Sequence, residues 1–277
     1  MSERFLGGRK AWVTGGATGI GRAIALALAK SGADVAVGSL PSGANLPEAA
    51  YAARPSQSEI DAAADAVRTC GVKCFALGLD LRDEAAVDSF HAEATAALGA
   101  FDILINAAGV SAQEEMLGHR HETWAAVLDI NLNGCYRTIK RTLPAMVERR
   151  WGRIVNIAST AAEVGFPGYS AYCASKAALL GLTRCVALEG AEHGVTCNAI
   201  NPGSVGTDMM RLGSLRRIAQ GGQGATVEEN FARIAESMPQ KRLVRVEEIA
   251  AMAVFLCRNE AFGITGEAIT ISGGATW

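Results

Sequence analysis

Residues Thr14–Gly21 read "TGGATGIG". An apolar run, "KAWV", leads into this stretch, and "RAIALALAK" follows it. The first has the length and composition of a short buried strand. The second is rich in alanine and leucine and is stopped by Gly32, as a helix would be. The glycines therefore occupy a turn from strand to helix. Glycine at Gly15, Gly19 and Gly21 permits a tight turn and lets backbone N–H groups approach an anion at the helix N-terminus. The order is G-x-x-x-G-x-G rather than G-x-G-x-x-G, and it points to a pyrophosphate-binding turn of a dinucleotide fold.

The same alternation continues outward. Strands are expected at "DVAVGS", "KCFALGLD", "FDILINAAG", "GRIVNIAS", "VTCNAINPG" and "EAITISGG". Helices are expected at "SEIDAAADAVRTCG", with a Ser cap, at "DEAAVDSFHAEATAALG", over roughly 121–149, from about Ala171 to His193, and at "EEIAAMAVFLC". Residues 41–57 hold three prolines and little periodicity, and read as a long loop. The strands do not alternate in polarity, which suits burial on both faces. Repeated strand–helix–strand units predict an α/β fold. It is a Rossmann-type, doubly wound parallel sheet of about seven strands, with helices on both faces, in a single domain 1–277.

The totals exclude several classes. Net charge is -2 over 277 residues, which gives no electrostatic case for nucleic acid or an anionic membrane. The seven cysteines are scattered without a C-x-x-C pair, so no zinc ribbon or redox motif is indicated, and no metal is expected. No apolar run is read as long enough to span a bilayer, and the N-terminus lacks a signal-peptide pattern, so a cytoplasmic address is expected.

A dinucleotide site needs a partner for the adenosine ribose, often an acid at the carboxyl end of the second strand. Asp34 opens that strand and stands at its wrong end. Ser39 and Leu40 occupy the relevant end and carry no charge. A carboxylate there would repel a 2′-phosphate, so NADP(H) is favoured over NAD(H). No arginine replaces the acid, although Arg54 in the 41–57 loop could reach back.

The stretch "GYSAYCASK", Gly168–Lys176, concentrates two of the four tyrosines. Residues four apart share a helix face, and only Tyr172 has Lys176 at that spacing. Tyrosine ordinarily titrates near pH 10, and a neighbouring ammonium favours phenolate and lowers that value. Such a pair can serve as acid and base near neutral pH. Ser159, at the end of the strand "GRIVNIAS", could hydrogen-bond the reacting oxygen. Asn131 sits mid-helix, where asparagine is unfavourable unless its side chain has a task, and a buried amide satisfying the backbone is the plainer alternative.

"TGGATGIG", "NAAG" (Asn106–Gly109), Asn131, Ser159, "YCASK" and "NPGSVGT" occur in order over nearly the whole chain. Together they resemble the classical short-chain dehydrogenase/reductase family. The resemblance implies hydride transfer between a nicotinamide cofactor and a secondary alcohol or ketone. It implies proton exchange by Tyr172, a pKa-lowering and ribose-binding role for Lys176, and stabilisation of the substrate oxygen by Ser159. Asn131 would hold a relay water. Cofactor contacts are expected from Gly15, Thr18, Gly19, Ile20, Gly21, Ser39, Leu40, Asp80, Leu81, Asn106, Ala107, Gly109, Tyr172, Lys176, Pro202, Gly203, Val205 and Thr207. The family also contains epimerases and dehydratases, and a non-catalytic dinucleotide sensor is a third reading. Family members usually form tetramers or dimers.

The segment of about 204–240 is expected to close over a small carbonyl or alcohol substrate. Met209, Met210, Leu212 and Leu215 are candidate apolar lining, and Gly221, Gly222 and Gly224 candidate hinges. Arg211, Arg216 and Arg217 are candidate partners for an acidic substrate or a CoA phosphate. Glu163, Phe166 and Tyr169 are candidate pocket walls.

Overall fold

The computed structural model describes residues 4–221 and 226–275. Gly222 and Gly224, and the last two residues of the chain, lie outside the described residues. The strands are β1 (Lys10–Thr14), β2 (Asp34–Ser39), β3 (Ala50–Tyr51), β4 (Cys74–Gly78), β5 (Ile103–Asn106), β6 (Ser111–Ala112), β7 (Gly152–Ile157), β8 (Val195–Pro202) and β9 (Ala268–Ile271). The helices are α1 (Gly19–Lys30), α2 (Gln57–Arg68), α3 (Glu84–Leu98), α4 (His121–Leu128), α5 (Gly134–Glu148), α6 (Ser170–Gly190), α7 (Asp208–Ala219), α8 (Val227–Ser237) and α9 (Val246–Leu256).

Seven strands form one parallel sheet in the order β4-β2-β1-β5-β7-β8-β9. The order reverses beside β1, so the carboxyl ends of β1 and β5 flank the crevice where such sheets bind ligands. Neighbouring side chains on a strand enter opposite cores. Val13 packs with Ile24 and Leu28 of α1, Ile60 of α2 and Ile249 of α9. Trp12 packs with Phe90 of α3, Ile139 and Met146 of α5 and Val186 of α6. The sheet is therefore covered on both faces, as the non-alternating strand pattern requires.

Three local expectations are corrected and one is refined. The cap of α2 is Ser56, two residues before the expected serine. Its Oγ accepts from the Glu59 N–H while the Glu59 carboxylate accepts from the Ser56 N–H. The 121–149 region is helical as expected, and a π-helical segment, Asp129–Asn133, joins α4 to α5 within it. The 41–57 segment is not all loop. Its β3 pairs antiparallel with β6, Ala50 opposite Ala112 and Tyr51 opposite Ser111. Finally, Ser170–His193 is long and apolar enough by composition to cross a membrane, with mean hydropathy 1.2. In the fold it is a core helix, with Leu179, Thr183 and Val186 buried.

Candidate functional site

The glycine turn and the "NAAG" segment interlock. Gly15 has φ of +67°, and a Cβ there would lie 2.9 Å from the Ala108 Cα. A Cβ on Gly21 would lie 2.2 Å from the Gly15 carbonyl oxygen. The Thr14 hydroxyl oxygen accepts the N–H groups of Ala107 (3.2 Å) and Ala108 (3.1 Å). Side chains are thus excluded where the first turn of α1 opens toward solvent. Thr18, the residue before α1, makes no side-chain cap, so the first amides of α1 keep free donors. The groove is lined by Gly15, Thr18, Gly19, Ile20 and Gly21, by Ser39 and Leu40, and by Asp80 and Leu81. Ala107, Gly109 and Thr207 complete it. A cradle of bare backbone amides, closed to any Cβ, fits a dinucleotide pyrophosphate.

At the adenosine end, Ser39 is buried and its Oγ accepts the Ala17 N–H at 3.0 Å. Arg54 is exposed and donates to the Ala44 carbonyl at 2.6 Å, so it does not reach back. Asp80 is held by Arg82, with contacts of 2.6, 3.0 and 3.2 Å. Burial raises the Asp80 pKa, but the Arg82 bonds outweigh it and hold the carboxyl below its ordinary value. Asp83 caps α3, so Asp80 is free of that task.

Asn106 departs from the sequence expectation of lining the groove. Its Nδ2 donates to Asn156 (2.9 Å), its Oδ1 accepts from the Thr138 hydroxyl (2.7 Å), and Asn156 donates to Thr183. This buried network ties β5 to β7, α5 and α6, and turns the Asn106 amide away from the groove.

A second cleft, of about 530 Å³ and open to solvent, continues from the first. Ser159, Tyr172 and Lys176 line it together, with Pro202, Gly203, Val205 and Thr207 at the end of β8 and beyond. The Ser159 Oγ accepts the Ala161 N–H at 3.1 Å, which leaves its O–H free to donate. It bears directly on the Tyr172 phenol. Tyr169 precedes α6, donates to Gln113 at 3.2 Å and forms part of the wall.

Lys176 is buried at 5% exposure, and its Nζ donates to the Ile157 carbonyl at 2.8 Å. The Nζ stands 5.7 Å from the centroid of the Tyr172 ring. The helical spacing does bring the two residues together, with the ammonium facing the ring. The expected lowering of the tyrosine pKa is not found. Burial raises it, and the Ser159 bond only partly offsets that. Burial lowers Lys176 to about 8, with Cys135 opposing.

Asn131 lies in the π segment with both of its amide donors engaged. Oδ1 accepts the Val110 N–H at 2.8 Å, and Nδ2 donates to the Val110 carbonyl (2.9 Å) and the Ser175 hydroxyl (3.0 Å). The amide therefore clamps the chain after "NAAG" to α6, which carries Tyr172 and Lys176. Its donors are used, and a relay water would have to donate to the second lone pair of Oδ1. Asn133 faces away and bonds Asp129.

The outer walls hold further surprises. Phe166, Met209 and Met210 line the cleft. Leu215 is exposed, and Glu163 accepts from Asn201 instead of facing the cleft. Tyr51, Ser111 and Gln113 line it without having been singled out from the sequence. Burial raises the Tyr51 pKa, so it is a neutral phenol, hydrogen-bonded to Ser111 and Tyr169. Three of the four tyrosines thus meet in one cleft, a scarcity signal that could have flagged Tyr51. Among the described residues, no group of three or more His, Cys, Asp or Glu could hold a metal ion.

A family profile described as "Enoyl-(Acyl carrier protein) reductase" matches residues 15–276. The chain is 32% identical over 266 residues to a 3-oxoacyl-[acyl-carrier-protein] reductase of Staphylococcus aureus, covering 96% of this chain and 97% of that protein. It is 36% identical over 268 residues to an uncharacterized oxidoreductase of Bacillus subtilis, covering 96% and 97%. A crystal structure of an actinorhodin polyketide ketoreductase with NADPH superposes with a TM-score of 0.87, at 31% identity over 97% of each chain.

Proposed function

The chain belongs to the short-chain dehydrogenase/reductase family, an oxidoreductase acting on CH-OH and C=O groups, and from that premise we propose that it is an NADPH-dependent ketoreductase. Its substrate is a ketone of the 3-oxoacyl kind, reduced to a secondary alcohol. The observation that carries this reading is the convergence of Ser159, Tyr172 and Lys176 in a cleft continuous with the glycine-turn groove. The relatives named for 3-oxoacyl and polyketide ketones support the substrate class, and the neighbour holding NADPH supports the cofactor. The uncharged end of β2, at Ser39 and Leu40, leaves room for a 2′-phosphate.

The bound nicotinamide supplies the hydride. The protein's residues do the rest. The Ser159 O–H, which faces the Tyr172 phenol, donates to the ketone oxygen and fixes its position. Tyr172, whose pKa is raised, holds its proton at neutral pH and is loaded as the acid that protonates that oxygen. Lys176 stands over the Tyr172 ring and donates toward the ribose end of the groove. Asn131 positions this group by clamping Val110 to Ser175. Segment 204–240 acts as the lid. Tyr136 and Leu188 leave exposed apolar surface on α5 and α6 that a second copy would cover, in keeping with a homo-oligomer.

The test is NADPH oxidation followed at 340 nm with simple ketones, a 3-oxoacyl thioester and a 2-enoyl thioester, repeated with NADH. Reduction of ketones, faster with NADPH, is expected. Turnover of the enoyl thioester alone would replace the carbonyl reading, and no turnover with any of them would remove it.

A further inference from the structure

The three arginines of α7 have separated fates. Arg211 pairs with Glu228 at 3.4 Å on the exterior. Arg216 donates to the carbonyls of Glu48 and Ala50 and stacks over the Tyr51 ring at 5.3 Å, pinning β3 against the helix. Arg217 alone of the three lines the cleft, and among the described residues it has no hydrogen-bonding or acidic partner.

The rest of the lining sharpens this. Among the described residues, the charged side chains lining the cleft are Lys176 and Arg217. Lys176 is at the reacting end, beneath Tyr172. Met209, Gly213 and Arg217 follow one another at four-residue spacing on one face of α7. Eight residues of helix separate Met209 from Arg217, about 12 Å of rise. Arg217 is therefore at the outer end, while Met209 is beside the groove. A partly buried arginine with no acidic partner, in a cleft whose lining offers no carboxylate, calls for an anion.

We infer that Arg217 is the counter-charge for an anionic group carried by the substrate, remote from its ketone. This rests on the ketoreductase reading. The shared chemistry is a carboxylate or phosphate oxygen facing a guanidinium. Its source is either the carboxylate of a keto acid or the phosphate of a pantetheine-type carrier.

Two matched pairs distinguish these sources. The first is 5-oxohexanoate against its methyl ester. The second is acetoacetyl-CoA against S-acetoacetyl-N-acetylcysteamine, which lacks the phosphates. Binding to the NADP⁺-loaded protein is measured by calorimetry, and turnover is measured separately with NADPH. Wild type is expected to bind the anionic member of one pair about tenfold to a hundredfold more tightly. Arg217→Met should erase that gap without changing affinity for the neutral member, and Arg217→Lys should restore part of it. Loss confined to the first pair assigns a carboxylate, and loss confined to the second a carrier phosphate. Equal binding of charged and neutral members by wild type, an unchanged gap in Arg217→Met, or no binding of any member overturns the inference. Binding without turnover of any ketone would instead remove the ketoreductase reading and leave the charge preference judged on its own.

Discussion

The two walls of the site are built on opposite plans. The inner wall is backbone. Gly15, Gly21 and the "NAAG" segment touch main chain to main chain, with Thr14 stapling the Ala107 and Ala108 amides. The outer wall is side chain. Tyr51, Met210, Tyr169 and Arg217 come from elements far apart in the chain, and the Arg216 bond to Ala50 spans 166 residues. A backbone wall tolerates no added atom and suits a group that never changes. A side-chain wall can be rebuilt residue by residue and suits a substrate that differs between relatives.

A paired glycine substitution puts that contrast under most strain. Gly21→Ala drives a methyl against the Gly15 carbonyl at 2.2 Å, where neither chain can yield. It should abolish NADPH binding in a fluorescence titration. Gly213→Ala meets the Tyr51 hydroxyl at 2.9 Å, the far end of a side chain. It should leave NADPH affinity within about threefold while raising KM for the ketone. Equal damage from both substitutions would end the distinction between the walls.

Lys176 stands where the walls meet, and its burial has a measurable sign. Unfolded, the lysine keeps its proton to about 10.5, whereas folded it keeps it only to about 8. Between those values the unfolded state holds more protons, so stability rises with pH; below about 8 the destabilisation is fully present. Lys176→Met should flatten the dependence of stability on pH across that window. It should also lower kcat by about a hundredfold or more. A variant with the wild-type slope would show that Lys176 is not the buried cation described.

This difference in plan also explains what could be read from the sequence. The parallel α/β architecture, both layers of helices and the groove residues of the glycine turn follow from local spacing, whereas the strand order β4-β2-β1-β5-β7-β8-β9 is a tertiary fact. The shared face of Tyr172 and Lys176 follows from helical periodicity. Local pattern does not say where a side chain finds a distant partner. Asn106 has a motif position at the groove, yet its amide is taken by Thr138 and Asn156. Asn131 is on the expected element, but the π segment and the Val110 clamp are tertiary facts. The β3–β6 pairing that delivers Tyr51 joins segments about 60 residues apart. Arg211, Arg216 and Arg217 look alike in sequence, and only packing separates them.

The central claim is that the inner wall binds a nicotinamide cofactor and Tyr172 performs proton transfer to a ketone oxygen beside it. Tyr172→Phe tests both halves in one preparation, because it deletes the reacting hydroxyl and keeps the ring that faces Lys176. NADPH affinity is measured by fluorescence titration, and ketone-dependent NADPH oxidation at 340 nm. The account predicts affinity within about threefold of wild type and turnover lowered by roughly a thousandfold or more. Substantial retained turnover with tight NADPH binding would contradict it.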